Sequence, residues 1–267
     1  MKRTFHILLF AIILTACKNT NSEEAGSAIS KSEPQKEIDG GEVASEKGFT
    51  INPVEHASMV LNWDGTIIYV DPVGGGDMYS KYSEPSTILL TDIHGDHFDI
   101  PTLEAVISEN SSIIAPKAVF EKLPESLQNK TKVLDNGAKT TDHEIKIEAI
   151  PMYNLRPEAL KFHEKGRGNG YVLEKDGKRV YISGDTEDIP EMRNLKNIDI
   201  AFVCMNLPYT MTVEKAAEAV LDFKPKTVYP YHYRGENGLS DVAKFKSLVE
   251  AGNPDIKVTQ LDWYPNN

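Results

Sequence analysis

Apolar residues crowd the stretch from 59 to 71 and are interrupted at Trp63-Asp64-Gly65. Met59-Val60-Leu61-Asn62 and Thr66-Ile67-Ile68-Tyr69-Val70-Asp71 flank that turn-forming triplet, which predicts a β-hairpin. A second hairpin is predicted where Gly170-Tyr171-Val172-Leu173-Glu174 passes through Lys175-Asp176-Gly177 into Arg179-Val180-Tyr181-Ile182-Ser183. Apolar runs near 87–90, 112–115, 132–135, 143–151, 198–205, 227–231 and 257–263 read as single strands. Helices are expected over 101–110, 117–128, 212–223 and 241–251, the third with Thr212 as its N-cap. Each half of the chain thus runs hairpin, strand, helix, strand, helix. Periodicity alone gives an α/β class.

The first residues follow a different rule. Lys2 and Arg3 precede an apolar run from 5 to 14, too short for a membrane-spanning helix of about 20 residues and shaped like a secretory signal. The run ends in Leu14-Thr15-Ala16-Cys17, which resembles the bacterial lipobox. That resemblance implies cleavage before Cys17 and a diacylglycerol on its thiol. Residues 18–47 carry little apolar content and cannot bury enough surface to offset chain entropy. We therefore expect a signal peptide over 1–16, a lipidated Cys17 with a disordered tether over 17–47, and a folded domain over 48–267. The protein would be held on a bacterial membrane, facing the periplasm or the cell exterior.

Composition narrows the partners. The 267 residues, 40% hydrophobic and 26% charged, suffice for one full domain or two small ones, plus a tail. A formal net charge of −11 argues against nucleic acid, which calls for a basic surface. It fits a protein that holds cations. With only two cysteines, Cys17 and Cys204, there is neither a Cys-rich zinc site nor a disulfide framework. Cys204 ends an apolar run and reads as a buried, inert strand thiol.

The metal chemistry lies in the histidines and aspartates. Asp92-Ile93-His94-Gly95-Asp96-His97 places four ligand-type side chains directly after a strand, where they can converge on one or two cations. Ser183-Gly184-Asp185-Thr186 ends another strand in an aspartate, and Tyr229-Pro230-Tyr231-His232-Tyr233 ends a third in a histidine. Each of the last two is a weak signal by itself.

In order and spacing the three clusters resemble the metallo-β-lactamase superfamily. The likeness is closer to its branch of ascorbate-6-phosphate lactonase-like and N-acylphosphatidylethanolamine phospholipase D-like hydrolases. His56-Ala57-Ser58, Val70-Asp71-Pro72, Gly184-Asp185-Thr186 and Pro225-Lys226-Thr227-Val228 carry that closer likeness. The resemblance implies an αββα sandwich, two mixed β-sheets flanked by helices. It implies metal ligands at Asp92, His94, Asp96, His97, Asp185 and His232, with zinc as the expected divalent ion and manganese or iron as alternatives. It also implies that hydroxide on the metal attacks a phosphodiester, lactone or related ester in a small-molecule or lipid-like substrate. Asp96 or His163 would then move the proton.

Two positions depart from the superfamily pattern. Asp92 stands where its first motif histidine is found, and Asn154, in Pro151-Met152-Tyr153-Asn154, stands where a histidine follows the middle strand. Both belong to the same metal site, so one metal and two metals both stay open. His163 either swings back over that site or lies on a surface loop. His56 and Asn154 are expected to border the pocket. A second reading is a lipoprotein that binds metal or ligand at a degenerate site without turnover.

Overall fold

The computed structural model describes residues 44–46 and 48–264. The expected signal peptide, Cys17 and nearly all of the tether lie outside the described residues.

One sheet is built from β1 (Ala44–Glu46), β2 (Phe49–Glu55), β3 (Ser58–Trp63), β4 (Thr66–Val70), β5 (Thr87–Leu89), β6 (Ser112–Ala115) and β7 (Thr131–Val133), in that order. Its pairing is antiparallel from β1 to β4 and parallel from β4 to β7. The second sheet uses β8 (Lys139–Asp142), β9 (Ile145–Met152), β10 (Gly168–Lys175), β11 (Lys178–Ile182), β12 (Ile200–Cys204) and β13 (Thr227–Tyr231). A small hairpin follows, β14 (Arg234–Gly235) with β15 (Gly238–Leu239), and β16 (Lys257–Val258) closes the second sheet beside β13. Here too the pairing is antiparallel over the first four strands and parallel over the rest. The two halves therefore repeat one topology.

Period-2 burial explains the layers. In β3 to β6, Met59, Leu61, Ile68, Val70, Leu89 and Ile114 pack into the core shared with the second sheet. Their neighbours Val60, Tyr69, Ile88 and Ile113 pack on the opposite face. There they meet Leu103 and Val106 of α1 (Ile100–Val106), Val119 of α2 (Lys117–Phe120) and Leu127 of α3 (Glu125–Gln128). The second sheet carries α4 (Pro190–Arg193), α5 (Val213–Phe223) and α6 (Val242–Gly252). The Tyr171 hydroxyl ties the sheets together, donating to Leu90 O at 2.7 Å. The expected sandwich of two mixed sheets flanked by helices is what the chain forms. Among the described residues no helix is long and apolar enough to cross a membrane.

Several boundaries differ from the sequence reading, each for a physical reason. The domain begins by Ala44 and not at Gly48, because β1 pairs with β2 and Ala44 packs against the core. The β2 strand was missed because it contains Pro53, which the sheet tolerates where the register shifts between Pro53 and Glu55. The helix expected over 117–128 is two short ones. Pro124 lacks an N–H and disfavours helical geometry in the residue before it. The helix expected over 101–110 ends at Val106, where Ile107 turns extended at ψ 135°. The last strand shrinks to Lys257–Val258.

Candidate metal centre

The strands β4, β5, β11 and β13 all release their C-terminal ends at one edge of the sandwich, and each delivers a polar residue there. Left-handed backbone makes the turns: Asp71 after β4 has φ 43°, Gly184 after β11 has φ 60°, and His232 after β13 has φ 46°. This region is unfavourable for non-glycine residues, so Asp71 and His232 hold strained positions at the site. At Gly184 a Cβ would also meet Met152 Sδ at 2.7 Å and Asn169 O at 3.0 Å. Only glycine lets β11 turn there and present Asp185.

Two groups of ligand atoms result: Asp92 with His94 and His163, and Asp96 with His97 and His232. Asp185 stands between them. Its Oδ2 lies 3.4 Å from His97 Nε2 and 3.3 Å from His163 Nε2, while its Oδ1 lies 3.3 Å from His232 Nε2. Asp96 Oδ2 is 3.3 Å from His232 Nε2. All of these side chains are buried except His94 and Asp96, which open onto a cleft of about 410 Å³. His56, Phe162, Tyr209 and Arg234 also line it.

His97 is set by Asp71. Its Nδ1 lies 2.8 Å from Asp71 Oδ2, and Thr91 binds the same carboxylate through its N–H at 2.8 Å and its hydroxyl at 2.5 Å. A carboxylate behind a histidine fixes the ring's orientation and tautomer and directs the other nitrogen to the metal position. That nitrogen, His97 Nε2, is buried without a hydrogen-bond partner, as is Asp185 Oδ1. Buried polar atoms are rarely left so. A divalent cation among His97, Asp185, His232 and Asp96 would satisfy both, and two imidazoles with carboxylate oxygens suit zinc. The donor set fits the metal.

Charge couples these groups. Burial favours neutral forms, but the Asp185, Asp71 and Asp96 carboxylates outweigh it and hold the His97 pKa well above the usual imidazole range. The His232 pKa is likewise pushed up to about 9, against its burial, chiefly by Asp185. In turn His232 and His97 outweigh the burial of Asp185 and hold its carboxyl far below the usual range. Asp96 is lowered too, against burial, by His97 and the hydrogen bond from His232.

Asn154 corrects the sequence reading. It does not border the cleft but stands behind His163. Its amide nitrogen donates to Glu187 Oε1 at 2.9 Å and Tyr209 O at 2.7 Å. Its Oδ1 must therefore accept, and His163 Nδ1 donates to it at 2.7 Å. His163 Nε2 then faces the carboxylates of Asp185 and Asp92, at 3.3 and 3.8 Å. The loop histidine thus comes over the site, and the residue in the expected histidine's place orients it. His56 does border the cleft, its ring centroid 5.7 Å from that of His232.

Sequence reasoning missed two participants. Asp71 figured only in a motif, with no role at the metal. Arg167 was not singled out, yet it lies on Asp92, with Nε 3.2 Å from Oδ1 and Nη2 3.1 Å from Oδ2. Its flanking glycines, Gly166 and Gly168, gave no specific signal.

A family model described as a Beta-lactamase superfamily domain matches residues 50–232. The chain is 30% identical over 204 residues to a UPF0173 metal-dependent hydrolase of Pyrococcus abyssi, covering 73% of this chain and 89% of that protein. Among solved structures it is similar to a proposed metal-dependent hydrolase of Parabacteroides distasonis. The identity is 42% and the TM-score 0.73, over 83% of this chain and 97% of that one. It shares its fold with Igni18, a metallo hydrolase of Ignicoccus hospitalis, at 21% identity and TM-score 0.67, over 79% of this chain and 94% of that one.

Proposed function

Because the chain belongs to the beta-lactamase superfamily, among its UPF0173 metal-dependent hydrolases, we propose that its cleft cleaves a phosphodiester or a related anionic ester, using zinc. The observation that carries this reading is the pair of unsatisfied atoms His97 Nε2 and Asp185 Oδ1, with Asp185 lining a cleft that Arg234 also lines. Arg234 supplies a guanidinium, which suits a phosphate oxygen better than a neutral carbonyl. The branch that includes phospholipase D-like hydrolases fits such a substrate.

Asp96, His97, Asp185 and His232 would hold the cation. When bound, a divalent ion lowers the pKa of a coordinated water to about 7 and polarises the substrate oxygen. The chain's own groups do the rest. Asp71 holds the His97 ring with Nε2 facing Asp185 and Asp96. Asp96, half-exposed and kept ionised, offers Oδ1 as a proton acceptor, an oxygen 4.0 Å from His97 Nε2 while Oδ2 lies 3.3 Å from His232 Nε2. His163, oriented by Asn154 and lining the cleft, can carry a proton away from the reacting oxygen. Phe162 and Tyr209, with ring centroids 5.1 Å apart, form the apolar wall against which a leaving group packs.

The test is turnover by metal-stripped protein reloaded with zinc, on bis(p-nitrophenyl) phosphate and on a simple lactone. Metal-dependent cleavage of the phosphodiester is expected, and it should vanish in Asp185→Asn. Tight zinc binding with turnover of neither substrate would instead support binding without catalysis. We also propose that a lipid on Cys17 ties the domain to a bacterial membrane. Lys2-Arg3, the apolar run from 5 to 14 and Leu14-Thr15-Ala16-Cys17 support this.

A further inference from the structure

The two cages of ligand atoms are unequal. Around Asp96, His97, Asp185 and His232, the atoms His97 Nε2 and Asp185 Oδ1 are buried and unsatisfied. Around Asp92 the hydrogen bonding is closed. Arg167 covers both oxygens of Asp92, at 3.2 and 3.1 Å. The Nδ1 of His94 lies 2.6 Å from Asp92 Oδ2, and its Nε2 faces Arg167 Nη2 at 3.4 Å. Arg167 Nη2 also donates to Phe162 O, which pins the guanidinium. Both atoms that Asp92 could give a metal already have partners, as does His94 Nδ1.

We infer that Arg167 takes the place of one cation, so that the centre holds a single tightly bound metal, at Asp96, His97, Asp185 and His232. The inference rests on reading the cleft as that of a metal-dependent hydrolase. A guanidinium keeps its charge at any pH a protein tolerates and binds a carboxylate in two-point fashion. Asp92 is fully buried, and an unpaired carboxylate there would be costly. Arg167 removes that cost and leaves a fixed positive charge beside the cage. A dication entering among Asp92, His94 and His163 would have to break this pairing and face the guanidinium at close range. Arg167 does not line the cleft and is a positioning residue: it sets how many metals the centre carries and holds Asp92 and His94 in place.

Metal counting on the full chain tests this. Protein stripped with chelator, reloaded with excess zinc and freed of loose metal should carry one zinc per chain. Arg167→Met, which keeps the stem and removes the charge, should carry two, and Arg167→Lys should stay at one. Two zinc ions in the wild type, or one in Arg167→Met, overturn the inference while the hydrolase reading stands. No zinc in the wild type overturns both. Should Arg167→Met fail to fold, anomalous diffraction from zinc-soaked wild-type crystals decides. One peak among Asp96, His97, Asp185 and His232 supports the inference, and a second between Asp92 and His163 overturns it.

Discussion

The Oδ2 of Asp71 lies 2.8 Å from Nδ1 of His97, and neither residue has any surface open to solvent. Asp71 leaves β4 and His97 follows β5, so one parallel strand pair sets both the carboxylate and the ring it steers. Removing such a partner costs about 10- to 100-fold in metal affinity in comparable sites. Asp71→Asn should therefore weaken zinc binding by that amount, with Asp71→Ala at least as severe. Competition against a chelating dye measures it, and unchanged affinity in both variants would remove Asp71 from the centre.

Asp185 touches His97, His163 and His232 at 3.3–3.4 Å. Asp185→Asn keeps the shape and loses the charge. It should abolish metal-dependent turnover and leave three imidazoles without their shared counter-charge. Zinc retention with wild-type kcat would contradict this.

Protons compete with the metal. Zinc needs neutral imidazoles, while Asp185 holds His232 at about 9 and raises His97 well above the usual imidazole range. Loading zinc at pH 7.5 should release about two protons, seen as a buffer-dependent enthalpy in calorimetry. The metal affinity should fall as pH drops. A raised histidine pKa stabilises the metal-free fold fully below the ordinary value near 6.5. That contribution fades as pH climbs through about 9 for His232. The melting temperature of stripped protein should thus decline between pH 7 and pH 10. A flat profile together with no proton release would refute the coupling.

Glu187 anchors the loop that carries His163. It accepts from Asn154 Nδ2 at 2.9 Å, Arg156 Nε at 2.9 Å and the Arg156 N–H at 3.1 Å. Arg156 is partly exposed, so its loss is softened by water. Glu187→Leu should destabilise the fold by about 2 kcal/mol and raise KM or lower kcat through His163. Chemical denaturation and steady-state kinetics check the two effects. A variant with full stability and full activity would show that the loop holds itself.

Cys17 is a matter for the cell. Detergent phase partitioning of the expressed protein should place the wild type in the detergent phase and Cys17→Ser in the aqueous phase. Equal partitioning of both would argue against the lipid.

Local sequence determined much of the framework. The hairpin turns at Asp64-Gly65 and Asp176-Gly177, the runs that became Ser112–Ala115 and Thr227–Tyr231, and the Thr212 cap at the N-terminus of α5 were legible. Turn geometry, alternation and capping are properties of a few adjacent residues. His94 and His97 declared themselves the same way, being neighbours in the chain. By contrast β8, Lys-Thr-Thr-Asp, is a strand only because it pairs with β9, which no local pattern records. The two closed contacts of the centre lie beyond local patterns as well. Asp71 and His97 are 26 residues apart, and Arg167 and Asp92 are 75. The order of strands brings each pair together, and burial makes the pairing obligatory, because a carboxylate removed from water must find a partner. Sequence supplied the ligands and the likeness of the clusters. The packing of two sheets decided which ligands are orphaned, which are already satisfied, and where Arg167 stands.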